Sequence, residues 1–118
     1  MREIHISKIT ETVKKLCIDA NYYLSQDIRK RLEEAKVNEK FPVAQSIIDI
    51  LIENAEIAKN EERPMCQDTG MAVIFLEVGQ EVHIVGGSLE DAINEGVRQG
   101  YKEGYLRKSV VGDPIERL

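Results

Sequence analysis

At residues 63–70 the chain reads Arg63-Pro64-Met65-Cys66-Gln67-Asp68-Thr69-Gly70. Pro64 has no backbone N–H and its ring clashes with the preceding turn, so it predicts the end of any helix before it. Gly70 can adopt a positive φ and predicts a tight turn into the apolar run from Met71 to Leu76. The octapeptide therefore separates a helical first half from a second half with strands. It is expected to form a loop, and loops held by a rigid scaffold often carry functional residues.

The first half predicts three helices between residues 6 and 60. Apolar residues separated by three and four positions indicate a first helix from Ile6 to Ala20. Asn21 or Ser25 is expected to cap a second helix, whose opposite charges at i and i+4 predict a solvated face. Pro42 fits the first turn of a third helix. That helix has the broadest apolar face, so we expect it to be central and buried on more than one side.

The second half predicts a β-hairpin over residues 71–85. The near-continuous apolar run Met71–Val78 is typical of a strand buried on both faces. Gly79 marks a turn into a partner strand at Val82–Val85, in which His83 is expected to lie at the surface. With the first and third helices, the longer strand should form the core.

A further helix is predicted over residues 88–103. Ser88 and Asp91 match the pattern of a capping box at its start. Gly96, Gly100 and Gly104 recur every four residues, and each glycine inside a helix costs about 0.8–1 kcal/mol relative to alanine. Two interpretations remain open: a second backbone or another subunit approaches closely along this stripe, or the helix ends near Gly100 or Gly104 with a glycine cap. The elements together predict an α+β fold in one domain of residues 1–118.

Composition excludes several classes of function. Charged residues make up 31% of the 118 residues and the formal net charge is −5, which argues against a nucleic-acid-binding module. No apolar run approaches the roughly 20 residues of a membrane span, and the start of the chain has no apolar signal-peptide core. We therefore expect a cytoplasmic protein. Of its two cysteines, Cys17 falls on an apolar helix face and is predicted to be buried, whereas Cys66 lies on the loop.

Two motifs carry a resemblance to a known family. Cys66 to Gly70 resembles the cluster-binding loop of class I fumarases and the related L(+)-tartrate dehydratases, specifically the α subunit or N-terminal region. The second match is Gly104 to Val111, with Asp113-Pro114 and Arg117 following it. The resemblance covers essentially the whole chain. It implies a hydro-lyase that interconverts fumarate and L-malate, with L-tartrate dehydration as the alternative.

The resemblance also implies a [4Fe-4S] cluster held by three cysteines, with one iron open to the substrate. Cys66 is the one credible ligand here, so this chain alone is expected to be inactive. The implied partners are a small dicarboxylate substrate, the remainder of the α subunit and a β subunit or domain, in a hetero- or homo-oligomer. The end at Leu118 is expected to be a truncation. No nucleic acid and no membrane is implied.

The implied site residues come from both motifs. Cys66 would bind the metal cofactor, and Gln67, Asp68, Thr69 and Arg107 would bind substrate. Asp68 is also the catalytic candidate, by hydrogen bonding to the substrate hydroxyl or to water. Arg107 is the preferred carboxylate clamp, because a guanidinium makes a planar two-point contact. The alternatives are a turn residue for Asp68 and a surface residue for Arg107.

Lys108 and Ser109 are weaker candidates for the site, and Arg117 either pairs structurally or approaches it. Two other classes of function remain open. The chain could be a non-catalytic docking or scaffold module that uses its glycine stripe to hold a partner subunit. Cys66 could instead be a reactive thiol, although that chemistry needs an activating histidine and offers only His5 or His83.

Overall fold

The computed structural model describes residues 1–116. The elements in chain order are β1 (Arg2–His5), α1 (Ile6–Tyr22), α2 (Gln26–Asn38), α3 (Pro42–Glu61), β2 (Val82–Val85) and α4 (Leu89–Glu103). The α+β class is confirmed, and helices dominate. No helix in this part of the chain has the length and apolar composition that crossing a bilayer requires.

Local signals set the starts of α3 and α4 as expected, whereas Ser25 at the N-cap of α2 makes no side-chain cap hydrogen bond. Pro42 occupies the first turn of α3, and the Ser88 hydroxyl accepts a hydrogen bond from Asp91 N at the start of α4. The helix α3 ends with Glu62 in the left-handed region at φ 53° and with Arg63 N–H donating to Ala58 O at 2.9 Å. This is the six-to-one bond of a Schellman motif. The helix therefore stops just ahead of Pro64.

The chain forms two compact units. One holds Met1–Ile18 and the chain from Gln67 onward, and the other holds Asp19–Cys66. The assignment of residues 1–118 to a single domain stays a prediction.

In the first unit, β1 and β2 form a parallel two-stranded sheet with Arg2 opposite Val82 and His5 opposite Val85. The predicted hairpin over residues 71–85 is wrong in this respect. The strand at Val82–Val85 is present, but its partner is the start of the chain rather than Met71–Val78. A strand needs a neighbour for its backbone groups, and β1 was missed because its four residues include a single aliphatic side chain.

The run Met71–Val78 contains no strand, and its large apolar side chains are exposed, Phe75 at 93%. The expectation that it is buried on both faces is therefore wrong for this chain. An apolar run shows that a segment favours burial, but it does not identify the surface that would cover it. The turn that follows is present, with Val82 N–H donating to Gly79 O at 3.2 Å.

The first unit is held together where α4 crosses α1. A Cβ added at Gly96 would lie 2.7 Å from both Thr10 O and Val13 Cβ, and one at Gly100 would lie 3.0 Å from Cys17 Cβ. Both glycines therefore permit backbone contact that alanine would block. The Thr10 hydroxyl donates to Ala92 O at 2.9 Å across the same interface.

Both interpretations of the glycine stripe are partly confirmed. A backbone does approach closely, and it belongs to this chain's own α1. Gly104 is also the residue at which α4 ends. Because α1 covers the stripe, a partner subunit cannot use it, and the scaffold interpretation loses that support.

In the second unit, α3 packs against α2. The predicted central position of α3 is wrong, since only Ala55 and Ala58 are buried on it. Most of its larger side chains are exposed, including Ile50 at 63%. The expected core of α1, α3 and a long strand is likewise replaced by a small set of buried side chains: Val13, Cys17, Ala92 and Leu106 in the first unit, and Tyr22, Ala55 and Ala58 in the second.

Candidate functional site

The loop after α3 presents its thiol to solvent. Cys66 is exposed, whereas Cys17 on α1 is buried at 7% exposure. Burial raises the pKa of the Cys17 thiol, because a thiolate loses solvation there. The two cysteines thus differ as expected, and Cys66 is the one whose sulfur solvent can reach.

The Thr69 hydroxyl joins the two motifs. It accepts a hydrogen bond from Arg107 N–H at 2.8 Å and donates to Arg107 O at 3.2 Å. These residues are 38 positions apart in sequence. The structure therefore brings together two motifs that lie far apart in the sequence.

The Asp68 carboxylate makes a second link between the motifs. Its Oδ1 accepts from Gly70 N–H at 3.1 Å and from the Ser109 hydroxyl at 3.4 Å. The bond to Gly70 is the local one expected of a turn residue. Within residues 1–116 the Oδ2 atom takes part in no hydrogen bond, and the side chain is exposed. Asp68 can therefore stabilise the turn and still accept from a ligand.

The end of α4 positions Arg107 beside Thr69 and Asp68. Leu106 N–H donates to Tyr101 O at 3.0 Å while Tyr105 adopts a left-handed φ of 57°. This is a Schellman motif with tyrosine where glycine is usual. Leu106 is 5% exposed, so its burial anchors the chain immediately before Arg107. Arg107 itself is exposed, and its guanidinium forms no ion pair within the described residues.

A groove with a volume of about 490 Å³ lies beside this link. Its lining includes Gly70 and Ile74 on one side, Tyr101 from α4, and Lys108 and Ser109 from the second motif. The Tyr101 hydroxyl is 3.5 Å from Gly70 O, to which it donates. Burial, and secondarily the nearby Cys17, raise the pKa of Tyr101. The wall of the groove is mainly apolar with a few polar groups, as is common in ligand sites.

The residues that the structure describes do not suffice for an iron–sulfur cluster. No group of three or more histidine, cysteine, aspartate or glutamate side chains among residues 1–116 is arranged to hold a metal ion. A cluster of this kind needs several thiolates. The exposed Cys66 sulfur fits one ligand position, and the remaining ligands would have to come from outside this stretch.

The predicted site residues thus fall into two groups. Asp68, Thr69 and Arg107 are brought together, along with the weaker candidates Lys108 and Ser109. Cys66 and Gln67 are exposed on the loop, and their roles stay predictions. Arg117 lies outside the described residues.

Sequence reasoning missed Tyr101, although its position one helical turn before Gly104, where α4 ends, is a signal that could have identified it. The histidines add little to the site. His5 Nδ1 accepts from Ser7 N–H at 3.1 Å, and His83 is exposed on β2. That use of His5 Nδ1 makes it unavailable as a base for a thiol, which weakens the nucleophile interpretation.

Comparison with known proteins gives one consistent result. Residues 10–118 match the family described as fumarate hydratase (Fumerase). The putative L(+)-tartrate dehydratase subunit alpha of Methanocaldococcus jannaschii is 34% identical over 111 residues, which cover 93% of this chain and 39% of that protein. The L(+)-tartrate dehydratase subunit alpha of Escherichia coli K12 is 26% identical over 106 residues, which cover 90% of this chain and 35% of that protein. The chain thus spans less than two fifths of the length of these relatives.

Proposed function

This chain belongs to the fumarate hydratase (Fumerase) family, and we propose that it is the N-terminal part of an iron–sulfur hydro-lyase α subunit that reversibly hydrates fumarate to L-malate. The observation that carries the proposal is the junction of the two motifs. Asp68 and Thr69 from the loop bond to Ser109 and Arg107 from the segment after α4. Asp68 and Arg107 are both exposed, and Gly70 and Ser109, which bond to Asp68, line the groove.

Arg107 is the group that would bind a substrate carboxylate. Its guanidinium forms no ion pair within residues 1–116, so a two-point contact with a carboxylate would displace no protein partner. Gln67, which is exposed, would donate its amide N–H to a substrate carboxylate. Two such contacts suit a dicarboxylate.

Asp68 would bind the substrate hydroxyl or the reacting water. Its Oδ1 accepts from Gly70 N–H and the Ser109 hydroxyl, which restrains the carboxylate and leaves Oδ2 to accept a hydrogen bond from the hydroxyl or water. The base that removes the proton from the adjacent carbon is expected outside this chain.

Cys66 is proposed as one cluster ligand, because its sulfur is exposed on the loop. A bound [4Fe-4S] cluster with an open iron would supply Lewis-acid chemistry at the substrate hydroxyl and carboxylate. The other ligands would come from the remainder of the α subunit, with a β subunit or domain completing an oligomeric enzyme in the cytoplasm.

The ligand assignment is tested by Cys66→Ser in the complete enzyme assembled anaerobically. We expect loss of bound iron, of the cluster's visible absorbance and of fumarate hydration. Cys17→Ala is the matched control, because it removes the buried thiol, and it should retain its iron. Full iron content in the Cys66 variant would contradict the assignment.

Dehydration of L-tartrate is the second candidate reaction. The names of the M. jannaschii and E. coli relatives favour it, and a dicarboxylate clamp at Arg107 suits either substrate. Measuring kcat/KM for fumarate, L-malate and L-tartrate on one preparation decides between the two. A preference of tenfold or more for L-tartrate would replace the fumarate proposal.

A further inference from the structure

We propose that Thr69 is a positioning residue that fixes the backbone of Arg107, rather than a residue that binds substrate directly. The consequence for catalysis rests on the proposed role of Arg107 as a carboxylate clamp. The structural part of the proposal does not, because it concerns hydrogen bonds within this chain.

The bonds at Thr69 leave its hydroxyl no donor for a ligand. A hydroxyl has one proton to donate, and Thr69 donates it to Arg107 O. The same oxygen accepts from Arg107 N–H at 2.8 Å, the shorter of the two contacts. Both backbone polar groups of Arg107 are thus bonded to a single side chain. A substrate oxygen that needs a donor would find it elsewhere, in Gln67 or Arg107.

Contacts of the neighbouring residues also hold the backbone of Arg107. Ser109 N–H also donates to Arg107 O at 3.1 Å, so that carbonyl receives two donors. On the other side, the burial of Leu106 holds the preceding residue. The backbone of Arg107 is therefore fixed before, at and after its own position.

Fixing this backbone reduces the freedom that Arg107 must lose on binding a carboxylate. A long side chain still rotates, but it starts from one Cα position and direction. Removing the Thr69 hydroxyl would leave Arg107 N–H without its acceptor and Arg107 O with Ser109 N–H as its remaining donor, which would loosen the segment. Substrate would then bind more weakly, although Thr69 itself does not contact the substrate.

The first test measures amide hydrogen exchange in the 118-residue chain. Thr69→Val keeps the side-chain shape and removes both bonds, so Arg107 N–H should exchange at least tenfold faster. Thr69→Ser keeps the hydroxyl and should exchange like the parent chain. The amide of Val13, at the contact of α1 with α4, should not change, which separates local release from general unfolding. An unchanged Arg107 rate in Thr69→Val overturns the proposal.

The second test uses the complete enzyme and the dicarboxylate that it turns over. Thr69→Val should raise KM about tenfold with a smaller change in kcat, and Thr69→Ser should restore KM. If Thr69 acts through Arg107, the increase should disappear in an Arg107→Lys background. A KM increase of full size in that background would indicate direct substrate contact and overturn the positioning role. If the parent enzyme is inactive on fumarate and L-tartrate, the proposed function fails, while the exchange result still decides the role of Thr69.

Discussion

The helix contacts in the two units are built differently. In the first unit α1 and α4 approach until glycine is required, and Val13 and Ala92 are buried at 6% and 3% exposure. In the second unit α2 has no buried residue, and it meets α3 through the ion pairs Arg29–Glu56 and Lys36–Asp49. Each unit pairs amphipathic helices, but the contact in the first unit is the one that requires glycine.

The difference shows that an apolar helix face and a buried helix face are separate properties. The helix α3 has more large aliphatic side chains than α4, yet most of them are exposed. The inward face of α4 is made of alanine and glycine, and it is buried because small residues let two backbones meet. Close backbone approach accounts for burial in the first unit, whereas exposed ion pairs link the two helices of the second. The following predictions concern that contrast.

The largest expected effect is that of Gly96→Ala. The new methyl group would lie 2.7 Å from Thr10 O and Val13 Cβ, so α1 and α4 must separate. We expect a loss of about 2–3 kcal/mol in the free energy of unfolding, within the usual cost of overpacking. Urea denaturation followed by circular dichroism measures it. Gly79→Ala is the control, because its Cβ would meet only Val82 Cγ2 at 3.7 Å. Equal stability of the two variants would contradict the close contact.

An intermediate effect is expected where α4 ends. Tyr105 is left-handed and 85% exposed, so Tyr105→Gly removes backbone strain and little packing. We expect a gain of up to about 1 kcal/mol. Glu62→Gly makes the same change at the end of α3 and should give a similar gain, since helix termination does not depend on how each interface is built. Thermal denaturation of both variants tests this, and a loss of stability in either would contradict the assigned motif.

The smallest expected effect is that of the ion pairs in the second unit. Arg29 and Glu56 are more than a third exposed, so we expect their coupling free energy to be below about 1 kcal/mol. A double-mutant cycle with Arg29→Met and Glu56→Gln measures it. Coupling should fall further in about 1 M salt, because the charges are then screened. A coupling of several kcal/mol that resists salt would mean that this interface is drier than the structure indicates.

Structural features that depend on residues close in sequence were predictable. Pro42 and Ser88 start helices by local chemistry, and Cys17 is buried as its helix face indicated. The partner of Val82–Val85 was not predictable, because a strand pattern does not say which distant segment completes the sheet. The exposure of α3 was missed for a related reason. The spacing of its apolar residues identifies the apolar face, but it does not show which segment would cover that face.

The candidate site divides in the same way. Motif resemblance selected Asp68, Thr69 and Arg107, and the structure places them together. The hydrogen bonds that give Thr69 its proposed role cross 38 positions of sequence. They depend on where the end of α4 contacts the loop, and that contact cannot be predicted from residue type or spacing.

The parallel pairing of Arg2–His5 with Val82–Val85 has a consequence for synthesis on the ribosome. Arg2–His5 is synthesised well before Val82–Val85, so it has to wait for its neighbour, and contacts so distant in sequence form slowly. Residues 19–66 contain their own contacts and can close much earlier. We expect residues 19–66 to become protease-resistant first, while Arg2–His5 stay susceptible until Val85 has left the exit tunnel.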